Sequence, residues 1–301
     1  MLVAMDEFAH WRAQGHRHTH RGHQIFRAEG GAGAEGTLLC LHGFPSGSWD
    51  WHVLWPDLCA RFARVLAPDM IGFGFSAKPR HYDYRIADQA DLQENLLREL
   101  GIGRVHLLAH DYGDTVAQEL LARDGERRAA GDESLVIESV CLLNGGLFPE
   151  THRPRPIQRL LASPAGGLVD ALTTERAFAH SLAAVFGPRT KPDAADLRRF
   201  WLMWCSRHGH RNGHKLIRYM AERRQYRARW VGALCAAQVP VRLIDGLLDP
   251  VSGAHMVARY RELVPDADVV ELPDVGHYPQ LEAPAATLAA FLEFHDTRVR
   301  S

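Results

Sequence analysis

Short apolar runs alternate along this chain with longer stretches in which apolar residues return every three or four positions. Thr37–Leu41, Arg64–Pro68, Val105–Ala109, Leu135–Leu143, Val239–Asp245 and Asp268–Leu272 read as buried strands. Ile86–Leu100 places Ile86, Ala90, Leu92, Leu96, Leu97 and Leu100 at helical spacing and stops at Gly101. Thr115–Ala122 and Pro284–Phe294 also have helical composition. Strand and helix alternating in this way predict an α/β protein with a mostly parallel eight-stranded sheet flanked by helices. Gly30–Gly36 reads as a flexible turn, and the charged, glycine-containing Asp124–Glu133 as a surface loop. Near the start, His16, His18 and His20 alternate and His23 follows. That pattern fits a hairpin with polar residues outward, the alternative being a weak metal site.

After Pro149 the texture changes. Residues 150–232 are rich in Arg and Trp, carry several prolines and show helical patterning without a convincing strand. They read as a helical cap inserted between two strands of a core made of 1–149 and 233–301. No internal repeat or low-complexity tract interrupts either part.

Composition narrows the class. The chain has 301 residues, 46% hydrophobic and 24% charged, with net charge −1 and pI near 7.0. Those values fit an ordinary globular protein. A balanced charge points away from nucleic acid and anionic membranes as partners. No apolar stretch reaches the roughly 18 residues of a membrane span. The opening MLVAMDEFAHW lacks a basic region followed by a long apolar run, so no signal peptide is expected. Cys40, Cys59, Cys141, Cys205 and Cys235 are isolated and odd in number, as expected of reduced cysteines in a cytoplasmic protein. No cofactor or metal motif is present. The glycines of Asp69–Ser76 lack the spacing of a phosphate-binding loop. The oligomeric state is not legible.

The candidate chemistry lies where strands end. Val105–Ala109 runs into Ala109-His110-Asp111-Tyr112-Gly113, a small-x-acid-x-small turn before a helix. Small residues flank such a turn because strand and helix backbones come close, and the apex residue is held exposed. This is a nucleophile elbow with Asp111 in place of serine. Gly246-Leu247-Leu248-Asp249-Pro250 follows one later strand and Val275-Gly276-His277-Tyr278-Pro279 the next. Nucleophile, acid, histidine is the chain order of an elbow-based triad, and all three fall at one sheet edge. Upstream, His42-Gly43-Phe44-Pro45 brings backbone N–H groups to the same edge, and Phe44–Pro45 is a candidate cis peptide. Phe44 and Tyr112 are the expected oxyanion donors. His42, Pro45, His110 and Trp49 are expected around a pocket for a small apolar molecule.

An apical carboxylate changes the reaction. It attacks a saturated carbon bearing a leaving group and forms an alkyl ester. His277, oriented by Asp249, then activates water to cleave that ester. An epoxide, a halide or a strained lactone suits this chemistry. Simple esters do not, since carboxylate attack on them gives an anhydride.

The elbow, the HGFP loop, Asp249 and His277 resemble the α/β-hydrolase superfamily, in its epoxide hydrolase and haloalkane dehalogenase branch. Further blocks resemble the mesoderm-specific transcript family: HDYGDTVAQELL from His110, NGGLFPETHRP from Asn144, VFGP from Val185, RWVGAL from Arg229, LDPV from Leu248 and HYPQLE from His277. The resemblance implies a cofactor-free hydrolase. Dehalogenases of the branch usually carry Trp after the nucleophile and Asn or Trp in the HGxP loop, where Tyr112 and Phe44 stand here. Fluoroacetate dehalogenases carry arginines just after the elbow, where Asp114 and Thr115 stand. Epoxide hydrolases have an aromatic residue in that loop and cap tyrosines that protonate the leaving oxygen. The late-cap tyrosine corresponds to Tyr219, with Tyr226 the less apt substitute. From Glu150 to Pro188 there is no tyrosine, so a second donor is missing or replaced. His152 and His180 are the residues available, a surface role being expected of each. The expectation is an epoxide hydrolase. A haloalkane dehalogenase, a lactone-processing relative and a non-catalytic ligand-binding protein are the alternatives.

Overall fold

The computed structural model describes residues 6–299. The expectation of no signal peptide rests in part on residues 1–5, which lie outside the described residues. The sheet is built from β1 (His16–His20), β2 (His23–Gly30), β3 (Glu35–Leu41), β4 (Phe62–Pro68), β5 (Arg104–His110), β6 (Val136–Leu143), β7 (Val241–Gly246) and β8 (Asp268–Leu272). Its order is β1-β2-β4-β3-β5-β6-β7-β8. β1 and β2 pair antiparallel, β2 joins β4 antiparallel, and every pairing from β4 to β8 is parallel. Parallel strands need both faces covered, and their residues divide accordingly. Leu39, Leu41, Leu107 and Ala109 pack into one apolar cluster, while Leu38, Cys40 and Leu108 pack into the other.

The first helices are α1 (Glu7–Gln14), α2 (Trp55–Arg61), α3 (Ile86–Glu99) and α4 (Tyr112–Ala130). α3 ends as expected, with Leu100 capping it before Gly101 at φ 68°. α4 is the main correction. It continues through Asp124–Ala130, the stretch expected to be a loop, and stops at left-handed Gly131. Its charges are partnered: Arg127 pairs with Glu94, and Arg128 with Asp124. Both guanidinium groups also donate to backbone carbonyls, of Leu135 and Ile137. The charge density that suggested a loop is what fastens the helix end to α3 and β6.

The N-terminal hairpin forms, but its histidines do not all face water. His20 is buried with Nε2 3.2 Å from Asp88. Burial, then Arg27, pulls His18 down to about 4. The Asp69–Ser76 loop wraps its own carboxylate: the amides of Ser48 and Phe75 donate to Asp69.

Between β6 and β7 the described chain is helical, from Pro156–Leu161, Gly166–Leu172 and Glu175–Ala183 through Ala194–Cys205 to Tyr219–Gln225 and Arg227–Cys235. The cap boundary expected at 232/233 falls inside the last helix, which packs on α4. No helix among the described residues is long and apolar enough to cross a membrane.

Candidate active site

β5 delivers Asp111 to the carboxyl edge of the sheet, where α4 begins. Asp111 sits at φ 46° and ψ −98°, a backbone conformation costly for a non-glycine residue. The crossing of strand and helix is tight: a Cβ on Gly113 would meet the Leu41 carbonyl oxygen at 2.2 Å. Small residues bracket the apex for that reason.

Three loops converge on Asp111. His277 Nδ1 lies 2.7 Å from Asp249 Oδ2, and its Nε2 3.9 Å from Asp111 Oδ2. The Phe44 amide donates to Asp111 Oδ2 at 3.1 Å, and Phe44–Pro45 is cis. Tyr112 is the first residue of α4, where a helical N–H has no acceptor within the helix. Asp249 is fully partnered. Asn144 Nδ2 (3.1 Å), Ser252 Oγ (2.7 Å) and the Val251 amide (2.7 Å) donate to it alongside His277. Asn144, at φ 43°, also holds the end of β7: Nδ2 donates to the Gly246 carbonyl, and the Gly246 amide donates to Oδ1.

Electrostatics follow this packing. Burial pushes the Asp111 carboxyl up, but the neighbouring His277, then Arg223, outweigh it and hold it well below the ordinary range. Burial lowers His277, yet Asp249 and Asp111 together raise it well above 6.5. Asp249 is held low by His277 and its own donors against the pull of burial. Asp114, one turn along α4, is pushed up by burial and then by Asp111.

Sequence reasoning missed Arg223. From the cap helix Tyr219–Gln225 its buried guanidinium reaches under the elbow. Nε donates to Thr115 Oγ1 at 2.7 Å and Nη2 to the Asp111 carbonyl at 3.0 Å, with Nη2 3.7 Å from Asp111 Oδ1. Arginines are so frequent in the cap that pattern alone does not single one out. Asn144 and Ser252 were equally hidden, since each reads as an ordinary strand-end or loop residue.

A cavity of about 130 Å³ opens above Asp111 and His277. Phe44, Phe178, Leu182, Trp204 and Tyr278 form much of its apolar wall, and Gln158, Thr173 and Ser181 add polar groups from the early cap. Of the four residues expected around the pocket, Pro45 lines it and three do not. Trp49 is wedged among Phe8, Trp11 and His52. His42 is buried beneath the loop, with Nδ1 donating to the Gly43 carbonyl and Nε2 accepting from the Met70 amide. His110 Nε2 donates to the His277 carbonyl at 2.7 Å, so it steadies the histidine loop from below. All three were drawn toward the pocket by sequence proximity, but their side chains point into the packed layer under it.

Tyr219 is buried with its ring 4.9 Å from that of Tyr112 and the Arg223 guanidinium over its face. Burial, then the Asp111 charge, keeps its phenol protonated. The ring lies beside the cavity and is not among its wall residues. Tyr226 and His180 are exposed. His152, expected at the surface, is instead half-buried, its ring abutting Gly146 and thereby Arg223. Burial and then Arg223 pull it down to about 3.

A mostly parallel sheet with an elbow-borne carboxylate, an Asp–His pair and an inserted helical segment defines an α/β hydrolase. The Alpha/beta hydrolase family model matches residues 38–291, and the chain belongs to that family. It is 42% identical over 294 residues to the mesoderm-specific transcript protein of Mus musculus, covering 94% of this chain and 86% of that protein. It is 38% identical over 262 residues to the putative hydrolase LipZ of Mycobacterium tuberculosis, covering 87% of this chain and 89% of LipZ. Among solved structures, a loop variant of the haloalkane dehalogenase DbeA from Bradyrhizobium elkanii superposes with a TM-score of 0.77 at 22% identity, covering 93% of this chain and 95% of that one.

Proposed function

We propose that the protein hydrolyses small apolar epoxides to vicinal diols through an alkyl ester on Asp111. The observation that carries this reading is a carboxylate at the elbow, with one oxygen held by the Phe44 amide at 3.1 Å. That oxygen, Oδ2, becomes the ester carbonyl, so Oδ1 is the attacking atom. It forms a bond to an epoxide carbon while the carbon–oxygen bond breaks. The leaving alkoxide takes the proton of Tyr219, a step that requires this phenol, buried beside the cavity, to reach the bound oxygen.

Esterification removes the negative charge on Asp111. His277 thereby loses one of the two carboxylates that raise it and becomes available as a base. It takes a proton from water, and the hydroxide attacks the ester carbonyl. The oxyanion formed faces the amides of Phe44 and Tyr112, each such donor typically worth about 2.7–4 kcal/mol. Collapse releases the diol and restores Asp111, and the proton on His277 returns to the Tyr219 phenolate through solvent. The same first step on an alkyl halide needs no proton donor, so a dehalogenase remains the second reading, favoured by the lack of any tyrosine from Glu150 to Pro188.

The test is intact-mass spectrometry of His277→Gln with a panel of epoxides and haloalkanes. A stable adduct on Asp111 is expected, because the ester forms and is not cleaved. No adduct with any member of either class would overturn the covalent mechanism. Adducts from haloalkanes alone would replace the epoxide reading.

A further inference from the structure

The near-zero net charge of the chain hides a division. Residues 150–232 hold sixteen Lys and Arg against six Asp and Glu, a net of +10, in a chain whose total is −1. The remainder therefore carries −11. The cap is a cationic body on an acidic one.

Part of that charge is without an ion-pair partner among the described residues and lies close in sequence to exposed leucines. Arg153, Arg159 and Arg176 are exposed, and none makes an ion pair among the described residues. In contrast, Arg198 pairs with Glu175, and Arg227 with Glu150. Leu160, Leu168 and Leu172 are 48%, 63% and 69% exposed and fall on two successive helices, and it is such grouping of exposed apolar residues that marks an interaction surface. Leu168 and Leu172 are four residues apart on one helix and share a face. Leu160 is on the helix packed against it. The same two helices supply Ile157, Leu161 and Asp170 to the cavity wall. One pair of helices thus supplies residues to the cavity wall and exposes three leucines, with Arg159 on the first helix and Arg153 and Arg176 just before and just after the pair in sequence.

We propose that this cap face adsorbs to an anionic lipid surface, so that apolar substrate reaches the cavity from the bilayer. The substrate half rests on the reading of the cavity given above; the adsorption half stands without it. Charge complementarity selects the occupant. Polybasic segments gain attraction from each Lys or Arg near an anionic leaflet, and leucines gain by entering its interface. A nucleic acid would use the arginines and leave the leucines unused.

Co-sedimentation of the full chain with vesicles tests this without any turnover. Binding is expected to phosphatidylcholine vesicles containing phosphatidylglycerol, and not to pure phosphatidylcholine. It should weaken as salt rises. Arg153→Gln, Arg159→Gln and Arg176→Gln combined should lower the partition coefficient about a hundredfold, roughly fivefold per arginine. Leu160→Ser, Leu168→Ser and Leu172→Ser combined should lower it at least tenfold. Removing charge from the core at Arg98 and Arg261 should leave it unchanged, which separates the cap face from bulk charge. No binding to the anionic vesicles at low salt overturns the proposal. So does binding that ignores the leucine substitutions while duplex DNA binds equally well. An active enzyme that fails to adsorb would sink only this inference; adsorption without any Asp111 adduct would sink only the reaction.

Discussion

The elbow and the cap solve opposite problems in the same molecule. At the elbow one strained residue, Asp111, is held by a strand, a helix and two loops, and the polar groups around Asp249 are matched one for one. In the cap, short helices leave arginines unpaired and leucines in water. Chemistry needs the first arrangement, because a nucleophile misplaced by about 1 Å loses orders of magnitude in rate. Recognition tolerates the second, because an apolar cavity sorts ligands by size and shape. Arg223 is where the two meet: its guanidinium, from the helix Tyr219–Gln225, braces the first turn of α4 and the carbonyl of Asp111.

The contrast can be broken most sharply at the elbow. Asp111→Asn and His277→Gln should each lower turnover at least about a thousandfold, in line with losses of nucleophile and base. They should differ in mass: only the histidine variant accumulates adduct. Equal behaviour would mean that Asp111 is not alkylated.

Tyr219→Phe should come next. Loss of a general acid costs about a hundredfold or more on epoxides and should leave alkyl halide turnover nearly intact. Equal losses on both substrates would reassign Tyr219 to packing against Tyr112.

Arg223→Gln probes the link between the regions. Breaking a buried ion pair costs about 3 kcal/mol or more of stability, read as a lower urea midpoint. It also removes a positive neighbour that helps hold Asp111 low. A depressed carboxyl is active above its pKa and loses its charge as pH falls, so the acid limb of adduct formation should move to higher pH in the variant. A stability loss with an unmoved limb would make Arg223 a brace only.

The smallest expected effect is on His152. Folding pulls it to about 3, against an ordinary value near 6.5. Below pH 6.5 the unfolded chain takes up a proton that the folded one refuses. Stability from this group is therefore present above pH 6.5 and is lost as pH falls toward 3. Each unit of difference is worth about 1.4 kcal/mol. His152→Asn should flatten the fall of stability between pH 6.5 and 4 by at least that much in urea titrations. An unchanged slope would show that His152 is solvated.

Much of the core was legible because its signals are local and repeated. Apolar runs located the parallel strands, and small residues around Asp111 announced a tight turn whatever stood at its apex. Where local reading failed, the reason was distance in sequence. Asp124–Ala130 reads as a loop until Glu94, Leu135 and Ile137 supply partners for its arginines. Trp49, His42 and His110 sit near the pocket residues in sequence, yet their side chains leave on the other side of the loops that carry them.

The sequence by itself determined the alternation of strand and helix, the order Asp111, Asp249, His277, and a carboxylate where most elbows hold a hydroxyl. Those follow from backbone sterics and from the chain order of one fold. Tertiary structure decided what neighbours each charge meets. It placed Arg223 against Asp111 across 112 residues, Asn144 against Asp249 across 105, and Leu168 and Leu172 in water. No local pattern encodes these, because the energy of a charge or an apolar surface depends on what lies within a few ångströms in space, and the fold alone sets that.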